Sequence, residues 1–266
     1  MTYRQFTSQE LFCIAQVAHK KTLYGIPDGF EMLPEDERPL VQAEVLDNLL
    51  SKQIITMNAD GKAAISNTSY QELITTICDC EACLTVNYQF GHDREEDVVF
   101  WKTEAGLLKA DVIDGHFVFI SEDALGLKNY LSTIAIKSGV FNSDESVTIP
   151  QIALAKAKRA MLDGKKDDAR RILLQNGAGN FADVILSGLE ENADFLSLLI
   201  MINRPEEKSP QQAAFMGTAG ILLALSDTVL NYRNCTTFSS CSENDVANQI
   251  QSFLDIFLAS GQEVLR

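Results

Sequence analysis

The spacing of apolar residues changes character twice along this 266-residue chain, from helical to strand-like near Cys83 and again near Phe195. That double change constrains the fold more than any other feature. Before the first change, Tyr70, Leu73, Ile74 and Ile77 recur at helical spacing, which predicts a helix over about 68–78. After it, CLTVNYQF (83–90) and VVFWKT (98–103) alternate as half-buried strands do. LLKADVI (107–113) and HFVFIS (116–121) follow, joined by Asp114-Gly115, a two-residue hairpin signal. A helix over about 122–137 closes the set, with Leu127, Tyr130, Leu131 and Ile134 on one side.

Before the second change, helices are expected over about 150–162, 166–175 and 180–190, with Pro150 suited to a first helical turn. Strands are then expected over 195–203, 213–225 and 228–239. A final helix starts near Ser242, where Ser242 and Asp245 resemble a capping box, and Val246, Ile250, Phe253, Leu254 and Phe257 form its stripe. The halves, about 1–140 and 141–266, thus share one plan: amphipathic helix, strand, polar loop, more strands, closing helix. Chance recurrence is the competing explanation. With duplication, the strands merge into one antiparallel sheet with two helical groups, an α+β fold in a single domain over 1–266.

The N-terminal stretch adds a winged-helix-like pattern. A helix over about 8–19, capped by Thr7 or Ser8, is followed by the Gly- and Pro-punctuated YGIPDGFEMLPEDERP. A helix over about 37–52 then precedes a short hairpin turning at Asp60-Gly61.

Net charge is −15, which repels the phosphates of nucleic acid and of anionic membranes. No run reaches the roughly 18 apolar residues of a membrane span. MTYRQFTSQE lacks the basic start and apolar run of a secretory signal, so a cytoplasmic location is expected. The six cysteines are then reduced thiols.

Candidate chemistry is sparse. Cys78, Cys80 and Cys83 are close enough in sequence to share a metal, but no second pair closes the set, and they fall where a helix gives way to a strand. His19, His92 and His116 are scattered, and neither a nucleophile elbow nor a phosphate-binding loop is present. The residues therefore indicate no enzyme, no metal and no cofactor. Two surface features suit partner binding instead. One is the charged loop Gly91 to Asp97, with His92, Asp93, Arg94, Glu95, Glu96 and Asp97 between two strands. The other is the basic run Lys156, Lys158, Arg159, Lys165, Lys166, Arg170 and Arg171, which either pairs locally with Asp163, Asp167 and Asp168 or offers a patch to an acidic partner.

This layout resembles the EspG family, the cytosolic chaperones of type VII (ESX) secretion. The helix SQELFCIAQVAH, the Gly25 to Pro27 segment and VLDNLLSKQIITMNADGKAAIS carry the likeness, with Lys52-Gln53 standing where the family has Arg-Gly. The resemblance implies a central antiparallel sheet, two helical groups about a pseudo-twofold, no cofactor, and capture of a secreted helical substrate before export. It implies that the loop Gly91 to Asp97 and the C-terminal helical group meet that substrate. The Lys, Asn and Ile usage resembles that of a low-GC Gram-positive bacterium, where the analogous substrates would be LXG-type or WXG-like helical proteins. An immunity protein that neutralises a secreted toxin is the alternative, and a metal-dependent enzyme or sensor built on Cys78, Cys80 and Cys83 is a third.

Overall fold

Thr7 closes the first strand and opens the first helix. Its hydroxyl accepts from the Glu10 backbone N–H at 3.1 Å, and the Glu10 carboxylate accepts from the Thr7 N–H at 3.0 Å. From this start a computed structural model describes residues 5–90, 94–134, 146–189, 193–203, 210–218 and 221–260. The first half runs β1 (Phe6–Thr7), α1 (Ser8–Val17), α2 (Arg38–Ser51), β2 (Ile55–Met57), β3 (Ala63–Ile65) and α3 (Thr68–Cys78). Then come β4 (Ala82–Phe90), β5 (Arg94–Thr103), β6 (Gly106–Ile113), β7 (His116–Glu122) and α4 (Ala124–Ser132). The second half runs β8 (Ser146–Pro150), α5 (Gln151–Leu162), α6 (Lys166–Gln175), a short 3-10 turn and α7 (Ala182–Gly188). β9 (Asp194–Ile202), β10 (Gln211–Thr218), β11 (Ile221–Leu230), β12 (Arg233–Ser240) and α8 (Glu243–Ala259) complete it.

Ten strands form one antiparallel sheet in the order β1-β7-β6-β5-β4-β9-β10-β11-β12-β8, and β2 pairs only with β3. The order is a palindrome of the two halves, and the register repeats with it. At the centre Val86 faces Leu198. Their outer partners are Val98 and Ala213. Following the pairings outward brings Phe6 opposite Phe117 in one half and Ile149 opposite Thr236 in the other. Phe6 and Ile149 are both fully buried, and a helix begins two residues after each. The sheets of the halves therefore correspond residue for residue about a pseudo-twofold between β4 and β9. The first half is longer because the β2–β3 hairpin and the irregular segment 18–37 are added outside the ten-stranded sheet.

Alternation along the strands separates two faces. On the front face, α1, α2 and α3 pack over Val99, Trp101, Ala110, Phe117 and Phe119. On the same face of the second half, α5, α6 and α7 pack over Ile149, Met216, Leu223 and Phe238. The back face is covered at its centre by α4 and α8, which enclose Leu84, Val86, Phe100, Leu196, Leu198, Ile200 and Phe215. Lys102, at the end of the back-face row, donates to the Leu258 carbonyl at 2.6 Å and also to the Ser260 carbonyl. It supplies positive charge where the dipole of α8 ends.

The segment after α1 lies across the front face as a strap. The indole N–H of Trp101 donates to the Tyr24 carbonyl at 2.7 Å, and the Tyr24 hydroxyl donates to Asn203 Oδ1 at 2.9 Å. Gly25 follows at φ +72°, and a Cβ there would stand 2.4 Å from Cys83 Sγ and 2.8 Å from Val99 Cγ1.

Four sequence expectations are corrected. The strand expected over 213–225 belongs to two strands, β10 and β11, and the one over 228–239 spans the end of β11 and β12. The second break falls at Asn231 and Tyr232, with φ of 50° and 61°, where no glycine or proline marks a turn. SVTIP, expected to be a lead-in to a helix, forms the edge strand β8, and an edge tolerates Pro150 because no further strand needs its missing N–H. The helix expected to reach residue 137 ends at Ser132, and residues 135–145 lie outside the described ones.

Gly25→Ala combines a close contact with an unfavourable backbone conformation, and urea unfolding should show a loss of about 1–3 kcal/mol. Tyr232→Gly relieves a left-handed conformation at a fully exposed side chain. It should raise the unfolding free energy by about 1 kcal/mol in the same assay.

Candidate partner-binding surface

The charged residues singled out after Gly91 do not form one loop. β4 and β5 pair as far as Phe90 with Arg94, so only residues 91–93 connect them, and His92 and Asp93 lie outside the described residues. Arg94, Glu95, Glu96 and Asp97 are strand residues. Their run of charges hides an ordinary alternation. Asp97 faces front, where its carboxylate accepts from Asn87 Nδ2 at 2.5 Å, and Glu95 occupies the same face. Glu96 occupies the back face and accepts from the Tyr130 hydroxyl at 3.3 Å, and Lys109 Nζ stands 5.3 Å from the centre of that tyrosine ring.

The front-face pair Glu95 and Asp97 borders a strip that sequence reasoning missed. Across β4 and β9 the front-face pairs are Thr85 with Leu199, Asn87 with Ser197, and Gln89 with Phe195. All six are half-buried, and none belongs to the three cores. They lie between the helical group α1–α3 and the helical group α5–α7, with the two apolar members, Leu199 and Phe195, on β9. The alternation of Thr85, Asn87 and Gln89 was visible in CLTVNYQF. FLSLLIMIN shows no such alternation, because three of its four front-face residues, Phe195, Leu199 and Met201, are as apolar as those in the core, and nothing local marks Phe195 and Leu199 as half-exposed. The strip offers an apolar centre with amide and carboxylate groups at its border, a composition suited to protein contact.

The basic run lies on α5, α6 and the turn between them, and its three arginines are paired. Arg159 meets Asp163 at 3.4 Å and Arg171 meets Asp168 at 2.8 Å, as local spacing suggests. Arg170 instead forms two bonds to Asp183 on α7, at 2.7 and 3.1 Å. The guanidinium holds the Asp183 carboxyl below the usual carboxylate range.

The cysteines are packing groups. Cys78, Cys80 and Cys83 are buried at the α3-to-β4 junction, and among the described residues no group of three His, Cys, Asp or Glu side chains is placed to hold a metal. Burial pushes the Cys78 thiol up to about 11 and the Cys80 thiol up to about 12, and it raises Cys83 well above its ordinary value. Cys13 is likewise pushed up to about 11. Protonated buried thiols are poor nucleophiles. His116 Nδ1 lies 3.0 Å from the Asp114 carbonyl, within its own hairpin turn. Among the described residues no helix is long and apolar enough to cross a membrane.

A thiol reagent at pH 8 should modify the half-exposed Cys241 first and leave Cys13, Cys78, Cys80 and Cys83 unmodified until urea unfolds the chain, as peptide mapping would show. The raised thiol values also carry a sign. Any stability they contribute is complete below pH 9 and is lost as pH rises through about 11 to 12.

No protein-family model matches the chain, and no curated protein matches it. Among solved structures, it is similar to the Mycobacterium tuberculosis type VII secretion system chaperone EspG5, determined in complex with a PE25–PPE41 dimer. The likeness covers 97% of this chain and 96% of that chain, with a TM-score of 0.48 and 10% sequence identity. At that score and identity it decides neither the fold of this chain nor its partner.

Proposed function

We propose that this chain is a cytosolic chaperone or adaptor of type VII secretion that holds a helical secreted protein before export. The observation that carries the proposal is the half-exposed front strip, Phe195 and Leu199 above all, set between two pseudo-symmetric helical groups. The sheet beneath it is rigid, because β4 and β9 are each paired on both sides. A helical hairpin laid on the strip would bury its apolar tip against Phe195 and Leu199 and bring its flanks to the helical groups. Glu95 and Asp97 at the border would favour a substrate with basic residues around that tip. Of the six residues His92 to Asp97 expected to meet the partner, Glu95 and Asp97 remain in this proposal as the border of the site, and Glu96 occupies the other face of the sheet. LXG-type or WXG-like proteins are the substrate class it names.

Co-expression with helical secreted proteins encoded beside this gene, followed by size-exclusion chromatography with light scattering, tests the proposal. A complex of fixed stoichiometry is expected. Leu199→Asp should weaken it at least about 10-fold while leaving the melting temperature near that of the parent. If none of those proteins forms a complex, or if Leu199→Asp and Phe195→Asp bind as the parent does, the proposal fails. Rescue of cells from a toxin's catalytic domain would assign the immunity function instead.

A further inference from the structure

The pseudo-twofold allows the two ends of the front strip to be compared position by position. Because Val86 and Leu198 face each other at its centre, Cys83 on β4 corresponds to Phe195 on β9. Cys83 is fully buried, whereas Phe195 is half-exposed. The strap makes the difference. A Cβ at Gly25 would meet Cys83 Sγ, Val99 Cγ1 and Thr85 Oγ1. The Tyr24 carbonyl accepts from the Trp101 indole, and the Tyr24 hydroxyl reaches Asn203. Both strap residues belong to the segment 18–37 between α1 and α2. The corresponding connection between α5 and α6 spans only 163–165, and Phe195 keeps its exposure.

The strip is thus walled on three sides. The groups α1–α3 and α5–α7 flank it, and Tyr24 and Gly25 close its Thr85–Leu199 end. Among the described residues the Gln89–Phe195 end has no such cover. From Thr85 to Gln89 the strand advances about 14 Å, the length of about nine helical residues. The two flanks differ in charge. The β5 side carries Asp97 and Glu95, and the corresponding positions beside β9 are Gln212 and Pro210. Asp97 is half-buried, accepts from Asn87 Nδ2, and makes no ion pair among the described residues.

We infer that the strip is a blind slot for the end of a helical hairpin, a reading that rests on the proposed chaperone function. A helix aligned with the strands cannot run on past Tyr24 and Gly25, and the flanking groups keep it from lying across. It has to end there. The arriving helix lies over Phe195 and Leu199, the connection abuts Tyr24 and Gly25, and the returning helix starts over Asp97. Charge sets that order, since the start of a helix carries unpaired N–H groups and a partial positive charge. The spacing agrees with it. β5 and β9 are two strands apart, about 10 Å, which is the separation of packed helices. The slot takes a helix end and excludes a single amphipathic helix that runs through.

A photo-reactive phenylalanine analogue, placed singly at positions 24, 195 and 95 of the full chain, tests the arrangement. The probe is the helical secreted protein encoded beside this gene that co-purifies with the parent chain. Peptide mapping should join position 24 to the connection between two helices of that protein. Position 195 should join the helix before the connection and position 95 the helix after it, both within about nine residues of it. Asp97→Asn, which keeps the acceptor for Asn87, should bind about 5-fold more weakly, with the difference fading at raised salt. The inference is overturned if position 195 is joined and 24 is not, if 195 and 95 join one uninterrupted helix, or if the order of the two helices is reversed. It is also overturned if Leu199→Asp disrupts the complex while Asp97→Asn binds as the parent does, and in each of these cases the chaperone function stands. If no such protein co-purifies, the chaperone function fails and takes this inference with it.

Discussion

Eight paired positions, from Ala82 with Ile202 to Gln89 with Phe195, join β4 to β9 and make one sheet of two halves. Everything else in the structure depends on that pairing. On the back face it brings Leu84 and Val86 beside Leu196, Leu198 and Ile200, so that α4 from one half and α8 from the other close over a common core. On the front face it sets the separation of the two helical groups, and with it the strip between them. A slip of one residue would exchange the faces of every side chain on one strand and move Leu198 out of the core. The continuous burial on the back face is what fixes the register.

Much of this was legible in the sequence. The double change of apolar spacing placed both sheet halves, and the helices at 68–78 and after Ser242 form nearly where capping and periodicity put them. The repeated plan proved to be a register-level correspondence, which strand length alone would not have revealed. What stayed hidden has a common physical origin. Local spacing reports whether a residue alternates, but not what covers it. Phe195 and Leu199 read as core because a helix could have covered them, and none of the three cores includes them. β8 and the turn at Asn231-Tyr232 were missed because their chemistry is ordinary for other structures, and only the neighbouring strands give them meaning.

The candidate surfaces also differ from their sequence outlines for an electrostatic reason. A cluster of like-signed charges looks like a loop when it is read as composition, yet strand β5 carries Glu95, Glu96 and Asp97 on alternating faces. The cluster is thereby split between two environments, Asn87 on one side and Tyr130 on the other. The basic run behaves differently. Two of its arginines are consumed by neighbours close in sequence, and Arg170 ties α6 to α7.

Lys102 gives the architecture a temporal order. It belongs to the fifth strand of the first half, yet the carbonyls that satisfy it belong to the end of α8, more than 150 residues later in the chain. The apolar back face of β4 and β5 is in the same position, since Phe253, Leu254 and Phe257 complete its cover. During synthesis the first half can form its front-face core with α1, α2 and α3 while its back face has only α4 to cover it until the second half arrives. A nascent chain of this design exposes a broad apolar sheet for as long as translation takes to reach α8. Its yield in a cell is therefore set as much by elongation rate, and by whatever shields that face meanwhile, as by the stability of the finished fold.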